Sequence, residues 1–401
     1  VIGSGALGKL VFDGLDPAAL QTGLLAQRPL SSRDPAVLMD LGWLALYAGD
    51  RARMLELQQM ALRHQAVYRV GGLHGPSATP RCRVLAICAP GDLMVNTPLE
   101  FILTGSETQL DLLFVQLDQS LPAELPDHDV AFVAVAQADA TEPLLRRLQA
   151  LLQGWPRPVV NDPSQLLALS RPEMGTLQRG LPGVVIPPTF RAPVSDLRAW
   201  SAGAPAPCPW PWILRPVDSH AGHGLCKLEN PEQLAQYLRQ HKAQCSYVAP
   251  YCEFRSPDGN YRKYRVVFIE GKPFLAHLAI GRDWIVHYVT ADMAEQAAHR
   301  AEEAAAMASF DTGFSRRHAD ALRVLAERVD LPYFGVDCGE TPPGELLIFE
   351  VASAMVIHAM DSALVYPYKQ DQMQRIFAAF HVLLAHTARP QPQPQRSRAW
   401  R

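Results

Sequence analysis

Two acidic residues stand inside apolar strands in the stretch YFGVDCGETPPGELLIFEVA, residues 333–352. YFGVDC and LLIFEV read as short strands, and GETPPG between them reads as a turn. Two adjacent antiparallel strands bring Asp337 and Glu350 side by side. An acidic side chain in an apolar strand is costly unless it is paired or metal-bound. Hard oxygen donors beside phosphate oxygens are what Mg²⁺ prefers, so the pair is a candidate metal site. The plainer alternative is that one of them faces solvent on an edge strand.

Upstream, YRKYRVVFIEGKPFLAHLAI (261–280) reads as a strand pair turning at Glu270-Gly271. Alternation puts Lys263 and Arg265 on one strand face, near a substrate or a γ-phosphate if that face lines a site. WILRP (212–216) reads as a strand ending in a cation, Arg215. The loop VDSHAGHG (217–224) follows it. Small residues there, Ser219, Gly222 and Gly224, let backbone amides approach phosphate oxygens, and Arg215 can add a charge-assisted fork. Alone, such a loop has the composition of an ordinary turn. Arg171 lies in VVNDPSQLLALSRPEM (159–174), before the short apolar strand GVVIPPT (183–189). Taken singly, it reads as a solvated charge at a helix end.

Nearer the N-terminus, RVLAICA (83–89), LDLLFVQL (110–117) and DVAFVAVA (129–136) are nearly all apolar, as buried parallel strands are. EPLLRRLQALLQ (142–153) reads as a helix, so an open α/β layer is expected over 82–160. The turn APGDLMVN (89–96) lacks a GxGxxG fingerprint, which argues against dinucleotide binding. Residues 15–69 read as helical, with Asp34 as N-cap, Pro35 at the first position and a break at Gly49-Asp50. Within them LGWLALYAGD (41–50) resembles one tetratricopeptide hairpin, with no second copy in evidence. GGLHGPSATP (71–80) is a linker candidate, and the tail 389–401 has no core-forming pattern and is expected to be disordered.

The chain of 401 residues has 48% hydrophobic, 19% charged and 8% aromatic residues, the profile of a globular protein. Thirty-seven Lys and Arg against forty Asp and Glu give a formal charge of −3, which offers no global field for nucleic acid or an anionic membrane. Seven scattered cysteines contain no CxxC pair, so neither a structural zinc site nor a disulfide framework is indicated. No signal peptide or spanning segment is recognisable, and a cytoplasmic location is expected.

In their order and spacing, these motifs resemble the ATP-grasp superfamily, within it the glutathione synthetase/RimK-like ligases. The likeness runs over roughly residues 83–385. HLAIGRDWIVHYVTADM (277–293) is similar to a tetratricopeptide-associated ATP-grasp group. The resemblance implies an α/β (α+β) fold: a helical segment over 1–75, a pre-ATP-grasp α/β domain over 82–160 and an ATP-grasp domain over 161–388. It also implies ATP and Mg²⁺, two ions, as cofactors, with Asp337 and Glu350 as metal ligands. Arg171, Arg215, Ser219, Gly222 and Gly224 would meet the phosphates. In YVAPYCEF, the main chain of Ala249, Tyr251 and Cys252 would meet adenine, and Glu253 the ribose. Arg215 and Arg265 would assist the reaction.

That reaction would activate a carboxylate as an acylphosphate for attack by an amine, on a small molecule or a peptide. The N-terminal helices would offer a grip for a peptide or protein partner, and such ligases are often dimers. The chain departs from the family pattern in three places. Arginine replaces lysine at 171 and 215, and Glu350-Val351-Ala352-Ser353 replaces Glu-x-Asn. The second ion loses a ligand at Ala352, with Ser353 as a candidate substitute. An ATP-binding pseudo-ligase serving as an interaction or regulatory module is therefore the alternative.

Overall fold

The computed structural model describes residues 1–28, 34–71, 80–177, 180–217, 219, 224–241 and 244–389. Its first sheet contains β1 (Val67–Arg69), β2 (Cys82–Cys88), β3 (Thr108–Phe114), β4 (Val130–Val133) and β5 (Val159–Val160), in the order β1-β3-β2-β4-β5. β2 to β5 pair in parallel and β1 runs antiparallel on the β3 edge. The near-continuous apolar runs arise because both faces are covered. On β2, Val84 and Ala86 pack with the N-terminal helices, whereas Leu85 and Ile87 pack with Leu144, Leu145 and Leu148 of helix Glu142–Leu151.

The N-terminal helices are Ser4–Phe12, Pro17–Gln27, Pro35–Tyr47 and Arg51–Leu62. Asp34 accepts a hydrogen bond from the Ala36 amide ahead of Pro35, the cap read from the sequence. Two departures stand out. Ser4–Phe12 begins before the stretch read as helical. Val67–Arg69, read as helix, is a strand, where pairing with β3 and the 2.9 Å ion pair from Arg69 to Asp111 outweigh local helical preference. Pro35–Tyr47 and Arg51–Leu62 pack as one hairpin on the first sheet, and the tetratricopeptide likeness goes no further.

The remaining strands are β6 (Val184–Val185), β7 (Phe190–Pro193), β8 (Trp212–Pro216), β9 (Cys226–Leu228), β10 (Cys245–Pro250), β11 (Tyr261–Ile269), β12 (Lys272–Gly281), β13 (Tyr333–Glu340) and β14 (Leu346–Ala352). They form a small antiparallel sheet, β7-β10-β8-β9, and a larger one, β12-β11-β13-β14-β6. β11 and β12 turn at Glu270-Gly271, both with positive φ, as a tight hairpin requires. The small sheet has its own core around Trp212, Leu214, Leu234 and Val248, completed by helices Val194–Ser201 and Pro231–Gln240.

Helix Lys369–Ala388 joins the larger sheet to the first. Phe380 lies 5.9 Å from the ring of Phe132 on β4 and 5.1 Å from that of Tyr333 on β13. Asn161, just past β5, donates to the Tyr333 carbonyl at 2.9 Å and accepts from the Tyr333 amide at 3.2 Å. This buried clamp fixes the first sheet beside the strand that carries Asp337. Among the described residues no helix is long and apolar enough to cross a membrane. Of the tail, residues 390–401 lie outside the described residues, as do 72–79 of the linker candidate.

Candidate functional site

The small and larger sheets face each other across a cavity of about 290 Å³. Its polar wall is one row of residues across three strands. Arg265 on β11 is the cross-strand partner of Asp337 on β13, which is the partner of Glu350 on β14. The β13–β14 register shifts just after Asp337, and the β11–β12 register just after Arg265. Such irregularities re-aim side chains beside functional sites. The pairing expected of the two carboxylates from the short turn between their strands is what forms.

Arg265 grips Asp337 with two donors, Nε at 2.8 Å from Oδ1 and Nη2 at 2.9 Å from Oδ2. Lys263, two residues earlier on the same face, adds Nζ at 3.2 Å from Oδ2. Burial alone would push the Asp337 carboxyl up, but Arg265 and Lys263 outweigh it and hold the group far below the usual carboxylate range. Glu350 shows the same balance. Burial opposes its charge, Arg171 and then Arg215 favour it, and its carboxyl is lowered. Arg171, at the start of helix Arg171–Leu177, donates from Nη2 to Glu350 Oε1 at 2.9 Å. It is a partly buried ion-pair member rather than a solvated helix-end charge.

Arg215, at the end of β8, donates from Nε to the Ser219 carbonyl at 3.0 Å, and its Nη2 reaches the same oxygen. Burial first, and the nearby Arg171 second, bring its pKa down to about 10, so it stays charged at neutral pH. Gly224 has φ +70°, and a Cβ there would lie 2.8 Å from Pro216, so this return of the loop needs glycine. Gly222, like His220 and His223 in the same loop, lies outside the described residues. Opposite the charged row, Ala249 of β10 and Tyr251 and Cys252 just after it line the cavity. Burial raises the Cys252 thiol, which leaves it protonated at neutral pH.

Two expected site residues fall elsewhere. Glu253 does not line the cavity; its Oε1 accepts from Tyr251 Oη and from the amides of Phe254 and Arg255. One of its two oxygens is spent on its own turn. Ser353 is 1% exposed and lines neither this cavity nor its neighbour. Strand alternation gives the reason: Glu350 and Ala352 share the cleft face, and Ser353 follows on the other. Its carbonyl accepts from Thr97 Oγ1 at 2.9 Å. Ser353 is thus withdrawn as a metal ligand.

The cavity also recruits residues beyond the expected phosphate, base and metal contacts. The segment after β12 supplies Trp284 and His287, and the first domain supplies Met94. His287 Nε2 is buried with no hydrogen-bond partner among the described residues, and burial followed by Lys263 lowers its pKa, which keeps the ring neutral. Asp139 of the first domain accepts from Arg191 Nε at 2.8 Å on β7 and from Tyr247 Oη on β10. It latches the small sheet down beside the charged row.

Asp337 and Glu350 carry the oxygens that a hard cation such as Mg²⁺ prefers, but Arg265 and Lys263 hold both Asp337 oxygens and Arg171 holds Glu350 Oε1, so an ion here would have to displace them. Among the described residues no group of three or more His, Cys, Asp or Glu side chains forms a fuller metal site.

No protein-family model matches the chain. No curated protein matches it either. Solved structures similar to it include D-alanine–D-alanine ligase from Bacillus anthracis complexed with ATP, with 12% identity and a TM-score of 0.43 over 77% of this chain and 96% of that one. A RimK domain protein ATP-grasp from Sphaerobacter thermophilus shows 16% identity and a TM-score of 0.42, over 73% of this chain and 98% of that one. The ATP-grasp ligase PsnB, complexed with a precursor peptide and AMPPNP, shows 13% identity and a TM-score of 0.40, over 79% and 100%.

Proposed function

We propose that this chain is an ATP-dependent ligase that activates a carboxylate as an acylphosphate for attack by an amine. The observation that carries the reading is the meeting of four cations, Arg171, Arg215, Lys263 and Arg265, with the paired carboxylates Asp337 and Glu350 in one cleft between two sheets. Four cations against two carboxylates leave a net positive wall, suited to a polyphosphate.

Arg171 and Arg215 would hold phosphate oxygens, and the main chain of Ala249 to Cys252 would meet the base. Asp337 and Glu350 would hold Mg²⁺, which when bound supplies charge neutralisation to the phosphates. A substrate carboxylate oxygen then attacks the γ-phosphorus and the bond to ADP breaks, with rate gained from positioning and charge. Arg265 would steady the acylphosphate and the oxyanion formed when the amine attacks its carbonyl carbon. Phosphate leaves as the amide forms. The amine's proton needs an acceptor, and the neutral imidazole of His287 at the cavity wall is the candidate.

A pseudo-ligase that binds nucleotide without turnover is the second reading, favoured by the methyl group of Ala352 on the cleft face beside Glu350. Calorimetry of Mg-ATP on this chain and on Ala352→Asn is the first test. Binding by this chain, lost in Arg215→Gln, supports the nucleotide site, and no binding by either protein would sink it. ADP release in the presence of candidate carboxylates and amines then separates ligase from pseudo-ligase. Release that depends on an added peptide would assign a peptide substrate.

A further inference from the structure

We propose that the buried cluster of Glu303 and Lys369 is a positioning centre for the cleft: acting through Tyr288, it holds the wall segment 284–287 in place from behind and so sets nucleotide affinity without touching the nucleotide. The inference rests on the nucleotide reading above.

Glu303, on helix Ala297–Ala308, is buried, yet both its oxygens are in use. Oε2 accepts from Tyr288 Oη at 2.7 Å and from Tyr368 Oη at 2.6 Å. Oε1 accepts from the Leu278 amide of β12 at 3.1 Å and faces Lys369 Nζ at 3.7 Å. Lys369, buried at the start of helix Lys369–Ala388, donates in turn to Asp361 Oδ2 at 2.7 Å, and its ammonium lies 3.8 Å over the Tyr288 ring. Tyr288 is thus fixed at its hydroxyl and on one ring face. Burial first, and Glu303 second, push its phenol far above the ordinary range, so the hydroxyl stays a donor.

Tyr288 follows His287 directly in the chain, and Trp284, Ile285, Val286 and His287 all line the cavity. Glu303 and Lys369 do not line it, so the cluster stands behind the wall and not in the site. At the other end of the wall, Trp284 meets Tyr251 edge-on, with ring centres 6.2 Å apart, beside the main chain read as meeting the base. Tyr288 also packs on His277 at 4.7 Å between ring centres, and His277 is the cross-strand partner of Arg265. One tyrosine therefore backs both the wall and the charged row. Packing a helix on a sheet requires no buried ion pair, since apolar side chains of like volume do as well or better. Directed bonds add a single orientation for the rings they hold, and the ring held most completely is the one joined to the wall.

The test reads the wall and the affinity separately. The full chain is labelled with 5-fluorotryptophan, and the ¹⁹F signal of Trp284, one of seven tryptophans, is assigned by its loss in Trp284→Phe. Affinity for AMPPNP with Mg²⁺ is measured by calorimetry. Tyr288→Phe keeps the ring and removes only the hydroxyl bound to Glu303. In it the Trp284 signal should shift or split before nucleotide is added, and AMPPNP affinity should fall by about three-fold or more. Glu303→Gln keeps the shape and removes the charge; the same two changes are expected, and it serves if Tyr288→Phe does not fold. Leu44→Ala, in helix Pro35–Tyr47, which does not border the cavity, lowers stability by leaving a void and should change neither reading. An unmoved signal or an unchanged affinity in Tyr288→Phe overturns the inference and leaves the nucleotide reading standing. So does a Leu44→Ala variant that moves both as far, since stability alone would then explain them. Failure of the unaltered chain to bind AMPPNP overturns the nucleotide reading, and the inference with it.

Discussion

Asp337 can be buried and charged because Arg265 and Lys263 satisfy both its oxygens. Removing one partner of such a pair strands the other, which costs more than the pair itself contributes. Arg265→Gln should therefore destabilise the protein by about 3 kcal/mol at neutral pH in urea denaturation. The pH dependence has a definite sign. A carboxyl lowered in the folded state stabilises above its unfolded pKa, and that stability is lost as pH falls below it. In Arg265→Gln the folded carboxyl rises, so the acid-side loss should shrink. Equal stability of variant and parent would mean that Arg265 does not hold Asp337.

Between elements, the first N-terminal helix is fastened to a short helix of the α/β domain by a buried acid. Glu100, in the short helix Leu99–Ile102, is 3% exposed and accepts from the Gly5 amide at 2.8 Å, in the first turn of helix Ser4–Phe12. Burial raises its pKa from 4.5 to about 7. The folded state then keeps a proton that the unfolded chain releases, so this group's contribution is greatest below its unfolded pKa. Stability falls as pH rises through the window from 4.5 to about 7. Glu100→Gln retains an acceptor for Gly5 and removes the titration. At pH 8 it should be more stable than the parent by roughly 3 kcal/mol, with the difference gone at pH 4. Thermal midpoints at the two values check it, and an unchanged difference between them would refute the assignment.

At the scale of the whole molecule, the charged row is steadied from behind by the clamp between the first and larger sheets. Phe380 touches Phe132 of one and Tyr333 of the other. Phe380→Ala should cost about 3–5 kcal/mol. Because the ring belongs to both sheets, amide hydrogen exchange should quicken on β4 and β13 together. Faster exchange confined to one sheet would show that the two are not coupled there.

The sequence by itself determined whatever depends on near neighbours. The turn between β13 and β14 is short, so Asp337 and Glu350 had to lie within one residue of register, and the shift just after Asp337 then sets them directly opposite. The two-residue period of a strand put Lys263 beside Arg265, and the same rule, applied three residues past Glu350, excludes Ser353 from the cleft. The Asp34-Pro35 cap was legible for the same local reason. The tertiary structure alone decided the rest. Val67–Arg69 is a strand because β3 offers an open edge, and no local preference encodes that edge. Glu253 was free by sequence to meet a ribose, but it lies off the cavity and its own turn claims one carboxylate oxygen. His287 and Asp139 reach the site from segments whose periodicity gives no hint of it. Local patterning sets which face a side chain takes, but contacts between residues far apart in sequence decide what that face meets.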